Sequence, residues 1–287
     1  MKRKLIILFS CIFGTLILAI IAFLIFVILG NTCLHVSNLT VNDEDLPDSF
    51  DDFRIAHVSD LHNTEFGKYN KRLLKKLREA EPDIIAITGD LIDSNNTDFD
   101  VALSFVKEAL KIAPCYFVTG NHEGRVDAYG DFEKELISLG AIVLDGKSAK
   151  ISKNGEEITL WGIHDPESLK GELYGYNEKA IIDKLLSELD YDQEGYNVLL
   201  SHRPEAFESY ANMEYDLVLT GHAHGGQFRI PFVGGLYAPA QGAFPKYDSG
   251  LYTKGTTNMV VSRGLGNSAF PFRINNTPEI VIVTLAK

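Results

Sequence analysis

This chain has few cysteines, one tryptophan, no excess of positive charge and no internal repeat or low-complexity stretch. Three cysteines in 287 residues cannot build a disulfide framework. Cys11, Cys33 and Cys115 also lack the spacing of a thiolate metal site. Lysine and arginine number 27 against 39 acidic residues, for a formal net charge of -12. That balance excludes broad nucleic-acid binding, which needs basic surface to neutralise backbone phosphates, so no nucleic-acid partner is expected. It leaves a phosphate-bearing substrate open, because bound dications reverse the local field. With 45% apolar residues the chain is not disordered and is long enough for a packed core.

Charge is missing altogether from Leu5 to Leu29. Such a run exceeds the ~20 apolar residues that cross a bilayer. Lys2, Arg3 and Lys4 precede it, and Asp43, Glu44, Asp45 and Asp48 follow. The positive-inside rule then leaves residues 1–4 in the cytoplasm, residues 5–29 as an anchor, and the globular part outside the cell membrane. A cleaved signal peptide is the competing reading. Its apolar core normally runs ~7–15 residues and ends in a small-x-small site, which Gly30-Asn31-Thr32-Cys33 matches poorly. Residues 30–52 read as a polar stalk, and the domain proper is expected over 53–287.

Short apolar runs alternate with helical spacing from Phe53 to Gly140, the β-α-β pattern of a largely parallel sheet. Strands without long helices follow over 141–163. A helix over 177–189, a strand over 196–200, a short helix near Pro204–Ala211 and strands over 217–220, 259–262 and 280–285 complete the pattern. The fold class is α/β, with two packed sheets flanked by helices.

Five short motifs follow apolar runs. They are Asp60-Leu61-His62, Gly89-Asp90, Gly120-Asn121-His122-Glu123, Ser201-His202 and Gly221-His222-Ala223-His224. Each falls at the end of an expected strand, the edge where open α/β sheets bind ligands. Together they offer Asp60, His62, Asp90, Asn121, His202, His222 and His224, oxygen and imidazole donors suited to manganese, iron or zinc. In extended chain Asp60 and His62 would point the same way. A carboxylate such as Asp90 can bridge two cations. Glu123 is placed to hold an imidazole in one tautomer. Taken singly most of these motifs are weak, and a turn, a capping carboxylate or a structural histidine explains each. Their conjunction points to a metal site.

The order and spelling resemble the calcineurin-like metallophosphoesterase superfamily, in particular its membrane-associated or exported bacterial branch. The supporting text runs from Phe53 through Asp60 and His62, continues in Gly221-His222-Ala223-His224-Gly225-Gly226-Gln227, and ends in Ser262-Arg263-Gly264-Leu265-Gly266. The resemblance implies a four-layer αββα sandwich of two mixed sheets. It implies two divalent ions (Mn2+, Fe2+/Fe3+ or Zn2+), one on Asp60, His62, Asp90 and His224, the other on Asp90, Asn121, His202 and His222. A metal-bridging hydroxide would attack phosphorus, and His122 would protonate the leaving group or hold the phosphate. The expected function is a membrane-tethered phosphodiesterase or phosphomonoesterase. A pyrophosphatase or phosphodiesterase acting on a nucleotide-sugar lipid or phospholipid is the alternative, the substrate then being derived from lipid or the cell envelope. A non-catalytic, metal-stabilised surface protein is the reading from a different class. Arg263 is open between substrate phosphate and a structural ion pair. The aromatics at 228, 232, 237, 244, 247 and 252 are open between a lipid- or base-binding wall and packing of their own loop. His57 is expected in the core or near the site, and His164, in Ile163-His164-Asp165-Pro166, in a loop that reaches towards the site without a ligand role.

Overall fold

The structure is a computed structural model, and it describes residues 2–169, 177–267 and 270–287. Helix α1 (Lys2–Thr32) carries the apolar run. Within it Ile6–Thr32 is long and apolar enough to cross a membrane, and none of that span is buried against the rest of the chain.

Strand β1 (His35–Asn42) comes next, where a stalk was expected. It pairs in parallel with the last strand, β16 (Glu279–Ala286), over eight registered positions. Leu46 and Phe50 are fully buried between the sheets. Residues 35–50 are therefore part of the folded domain, not a free linker. A polar edge strand whose partner lies some 240 residues away gives no local periodicity to read.

The first sheet has the order β1-β16-β2-β3-β4-β5. It is completed by β2 (Arg54–Val58), β3 (Ile84–Thr88), β4 (Cys115–Val118) and β5 (Ile142–Val143). These four run parallel, joined by α2 (Lys71–Ala80), α3 (Phe99–Ala109), the single turn α4 (Asn121–Gly124) and α5 (Tyr129–Leu139). Helix α5 stops at Gly140, whose φ of 105° only glycine adopts without strain. The second sheet begins with β6 (Lys147–Lys153), β7 (Glu156–Gly162), α6 (Glu178–Glu188), β8 (Tyr196–Leu200), α7 (Phe207–Asn212) and β9 (Leu217–Thr220). Two small hairpins follow, β10–β11 (Arg229–Ile230, Gly234–Gly235) and β12–β13 (Tyr237–Ala238, Gly242–Ala243). Strands β14 (Gly250–Lys254) and β15 (Thr257–Val261) then close the order β14-β15-β9-β8-β7-β6.

Three apolar cores make this a four-layer αββα sandwich. One lies under α2, α3 and α5. The second fills the space between the sheets, with Ile55, Ala86, Val118, Val198, Leu219 and Val283 among its members. The third lies under α6 and α7. Strands buried on both faces are apolar throughout, as in Ile84–Thr88 and Tyr196–Leu200. The sheets pack so that the C-terminal ends of β2, β3 and β4 meet those of β8 and β9.

Candidate metal centre

Each expected donor leaves the C-terminal end of one of those strands. β2 delivers Asp60 and His62, β3 Asp90, β4 Asn121 and His122, β8 His202, and β9 His222 and His224. All eight are buried. Two of the three donor groups among the described residues are made of expected ligands, Asp60–His62–Asp90–His224 and Asp90–His202–His222, and the third is His62–Asp93–His122, each with its ligand atoms within 4.8 Å of one another. In the first, His62 Nε2 lies 3.5 Å from Asp90 Oδ2 and 3.3 Å from His224 Nε2, which is 3.4 Å from Asp60 Oδ1. In the second, His202 Nε2 lies 3.3 Å from Asp90 Oδ2, 3.2 Å from Asn121 Oδ1 and 3.1 Å from His222 Nδ1. Asp90 belongs to both groups.

The backbone is strained where these side chains start. Asp60, His62, Asp90, His222 and His224 have φ of 53°, 45°, 53°, 62° and 47°. Non-glycine residues rarely enter this left-handed region, and each such residue costs about 1–3 kcal/mol. The extended Asp60–His62 geometry expected from sequence is therefore replaced by two left-handed residues flanking Leu61. Asp60 accepts the His222 amide at 3.1 Å, which fastens the first motif to the fifth. Two glycines permit the crowding. A Cβ at Gly120 would land on the Asp90 carboxylate, and one at Gly221 on Ser59 Oγ.

Electrostatics follow from burial among like and unlike groups. Burial holds His62, His222 and His224 below the usual imidazole range, so all three rings are neutral near pH 7. Burial opposes charge on His202 too, but the Asp90 carboxylate outweighs it and lifts this imidazole to about 10. Burial would raise Asp90, yet His202 and His62 hold it well below the carboxylate range.

The surrounding groups fix orientation. His202 Nδ1 donates to the Thr88 carbonyl at 2.7 Å, which leaves the Nε2 lone pair facing the cluster in the neutral ring. The Ser94 amide donates to His122 Nδ1 at 3.0 Å, so the proton of neutral His122 sits on Nε2. Asp93 lies 3.4 Å from the same Nδ1. Arg203, buried and clamped to Asp165 at 2.5 and 2.9 Å, donates to His222 Nε2 at 3.0 Å. Glu123 does not hold an imidazole, as the sequence suggested. Its carboxylate accepts the amides of Asp90, Ile92 and Gly120 at 2.7, 3.1 and 2.8 Å, and so builds the turn that presents Asp90 and Asn121.

The calcineurin-like phosphoesterase family profile matches residues 53–226. The chain belongs to that family. It is 28% identical over 259 residues to the uncharacterized metallophosphoesterase YkuE of Bacillus subtilis, covering 88% of this chain and 85% of YkuE. It is 28% identical over 243 residues to the phosphodiesterase YaeI of Escherichia coli, covering 81% and 82% of the two chains. Its fold is similar to TT1561 of Thermus thermophilus, with a TM-score of 0.51 at 13% identity over 74% of this chain and 90% of that one. This phosphoesterase is accordingly a hydrolase.

The donor set suits divalent ions. His202 Nε2, Asn121 Oδ1 and Asp90 Oδ2 converge within about hydrogen-bond distance, and neither oxygen can supply a proton. His62 Nδ1 is buried with no hydrogen-bond partner among the described residues. In the metal-free fold the proton on His202 Nε2 serves both oxygens, the place a divalent cation would take.

Arg263, open at the outset, pairs with Glu279 of β16, with Nε at 2.7 Å from the carboxylate. His164 stands 3.8 Å from Asp145 and outside the donor groups. His57 is buried with Nε2 2.8 Å from Thr88 Oγ1, and burial presses it down to about 3. Ser94, Arg203, Asp165 and Glu123 in its observed role were not legible. Arg203 directly follows His202, a cation beside a lone histidine, and that was the one available signal.

Proposed function

We propose that this phosphoesterase hydrolyses phosphate esters, phosphodiesters foremost, with two divalent ions held by Asp60, His62, Asp90 and His224 and by Asp90, Asn121, His202 and His222. The observation that carries the reading is the sharing of Asp90 between two buried donor groups at one sheet edge. The phosphodiesterase name of YaeI supports the diester preference. Ions of the manganese, iron and zinc group suit these ligands. When bound, such ions lower the pKa of water and offset charge on the phosphoryl oxygens.

The chain's own residues do the rest. His202 Nδ1 is held by the Thr88 carbonyl, so the nitrogen that faces the site is Nε2, whose lone pair becomes available when its proton is displaced. Glu123 pins the Asp90 and Gly120 amides and keeps the Asp90 carboxylate in place between imidazoles of both sheets. His122 carries its proton on Nε2, the arrangement a donor to a departing alkoxide needs. Water is taken as the attacking species.

Helix α1 is taken as a single-pass anchor. Its apolar length, its lack of burial and the basic residues before it support a cytoplasmic N-terminus and an extracytoplasmic catalytic domain. The test is turnover of bis(p-nitrophenyl) phosphate by the detergent-solubilised full chain. Hydrolysis that a chelator abolishes and manganese, iron or zinc restores supports the reading. No hydrolysis with any of these metals overturns it.

A further inference from the structure

We infer that the loop face beside the end of α1 rests on the bilayer, inserting apolar side chains into the leaflet on the catalytic domain's side. The inference rests on the reading of α1 as a membrane span. Two independent observations place an apolar surface there. The first is connectivity. Asn31, in the last turn of α1, pairs both ways with the Arg273 backbone, its Nδ2 donating to the carbonyl at 3.1 Å and its Oδ1 accepting the amide at 2.8 Å. Phe26, Leu29, Gly30 and Cys33 of α1 and its exit line one cleft with residues 275–277. The β10–β11 hairpin is fastened to the same loop, the Arg229 amide donating to the Ile274 carbonyl at 2.9 Å and Phe228 bridging to Ile274. The helix end, the 270–277 loop and the hairpin thus form one continuous sector.

The second observation is what that sector shows to solvent. Phe232 at the hairpin tip is fully exposed, Val233 is 62% exposed, and Ile230, Phe270 and Phe272 are also exposed. Phe228 packs its ring 5.5 and 5.6 Å from those of Phe270 and Phe272, so the aromatics form a patch and not scattered singles. Large apolar patches on a folded surface mark an interaction site. Charge chooses the occupant. Residues 225–247 and 262–278 contain no Asp or Glu in a chain that has 39 of them. The basic groups there are Arg229, Lys246, Arg263 and Arg273, and Arg229 and Arg263 are paired with Asp248 and Glu279. An acid-free aromatic rim continuous with a membrane span matches the interfacial zone, where aromatic rings reside and anionic headgroups repel carboxylates.

The sector also backs onto the donor cluster. Arg273 donates to His224 Nδ1 at 3.4 Å, and Asn276 Nδ2 donates to the His224 carbonyl at 2.7 Å. Docking of the rim therefore sets the metal centre close to the membrane surface, where phosphate esters of lipids lie.

The test uses the full chain in phosphatidylglycerol–phosphatidylethanolamine vesicles, with acyl chains either plain or brominated. Phe232→Trp and Val233→Trp each add one indole to the buried native Trp161, whose emission in the wild-type chain is the baseline. Both variants should hydrolyse the soluble diester as wild type does. Their added fluorescence should fall at least about twofold with brominated chains, with no matching fall in wild type. If the added indoles are quenched no more than Trp161, the rim faces water, a second copy or another protein, and the inference is overturned. Loss of soluble-diester hydrolysis in wild type would instead overturn the proposed function, so the two failures are distinguishable.

Discussion

The two sheets bring different chemistry to the same edge. The first sheet, through β2, β3 and β4, contributes the proposed oxygen donors, Asp60, Asp90 and Asn121, together with His62 and His122. The second, through β8 and β9, contributes imidazoles alone, His202, His222 and His224. Neither half makes a complete site. The donor groups exist only because the core between the sheets holds the two edges together. The first half is held by local means, the Glu123 carboxylate gathering three amides. The second is held from across the cleft, by Thr88 on His202 and Asp60 on the His222 amide.

Asp90 is the sharpest place to break that comparison, because it belongs to both donor groups, 3.5 Å from His62 and 3.3 Å from His202. Asp90→Ala should strip both metal positions and lower hydrolysis by about 10³-fold or more, several kcal/mol of transition-state stabilisation. Metal analysis and diester turnover on the same sample check it, and retention of two ions would break the shared-ligand reading. His122→Ala comes next. It should keep the metals and lose ~10²–10⁴ in rate, most with alkyl leaving groups of high pKa. Equal loss on p-nitrophenyl and alkyl esters would remove the proton-donor role.

Glu123→Gln separates scaffolding from chemistry. The amide keeps one oxygen acceptor where three amides now converge, so the variant should lose about 1–3 kcal/mol of stability, read from denaturant unfolding. The pH dependence is of comparable size. His202 is raised to about 10 in the metal-free fold. Its protonated form therefore favours the fold below the unfolded value near 6.5, and that contribution is lost as pH rises through about 10. Metal must expel this proton, so apparent affinity should rise about tenfold per pH unit between pH 7 and 9. A flat titration would show that His202 binds metal without giving up a proton.

How far the sequence carried this picture depends on whether a signal was local. Ile84–Thr88 and Tyr196–Leu200 were legible because doubly buried strands are continuous apolar runs. The seven candidate donors could be picked out because each follows such a run, and the fold brings them to one edge. Their backbone was not. Nothing in Asp60-Leu61-His62 announces two left-handed residues, and strain of this kind is sustained only by the surrounding fold. β1 escaped notice because its partner is at the far end of the chain. Glu123 was legible as important but not in its role, since its partners are backbone amides that carry no side-chain identity. Arg203 and Asp165 lie 38 residues apart, and only the packed sheets make them a pair.

Metal stoichiometry of the purified full chain tests the central claim most directly. Elemental analysis after loading with manganese should give two ions per chain in wild type. It should give one when His222 alone is replaced by alanine, since that ring serves only the second donor group. Zero or one ion in fully loaded wild type would contradict the account.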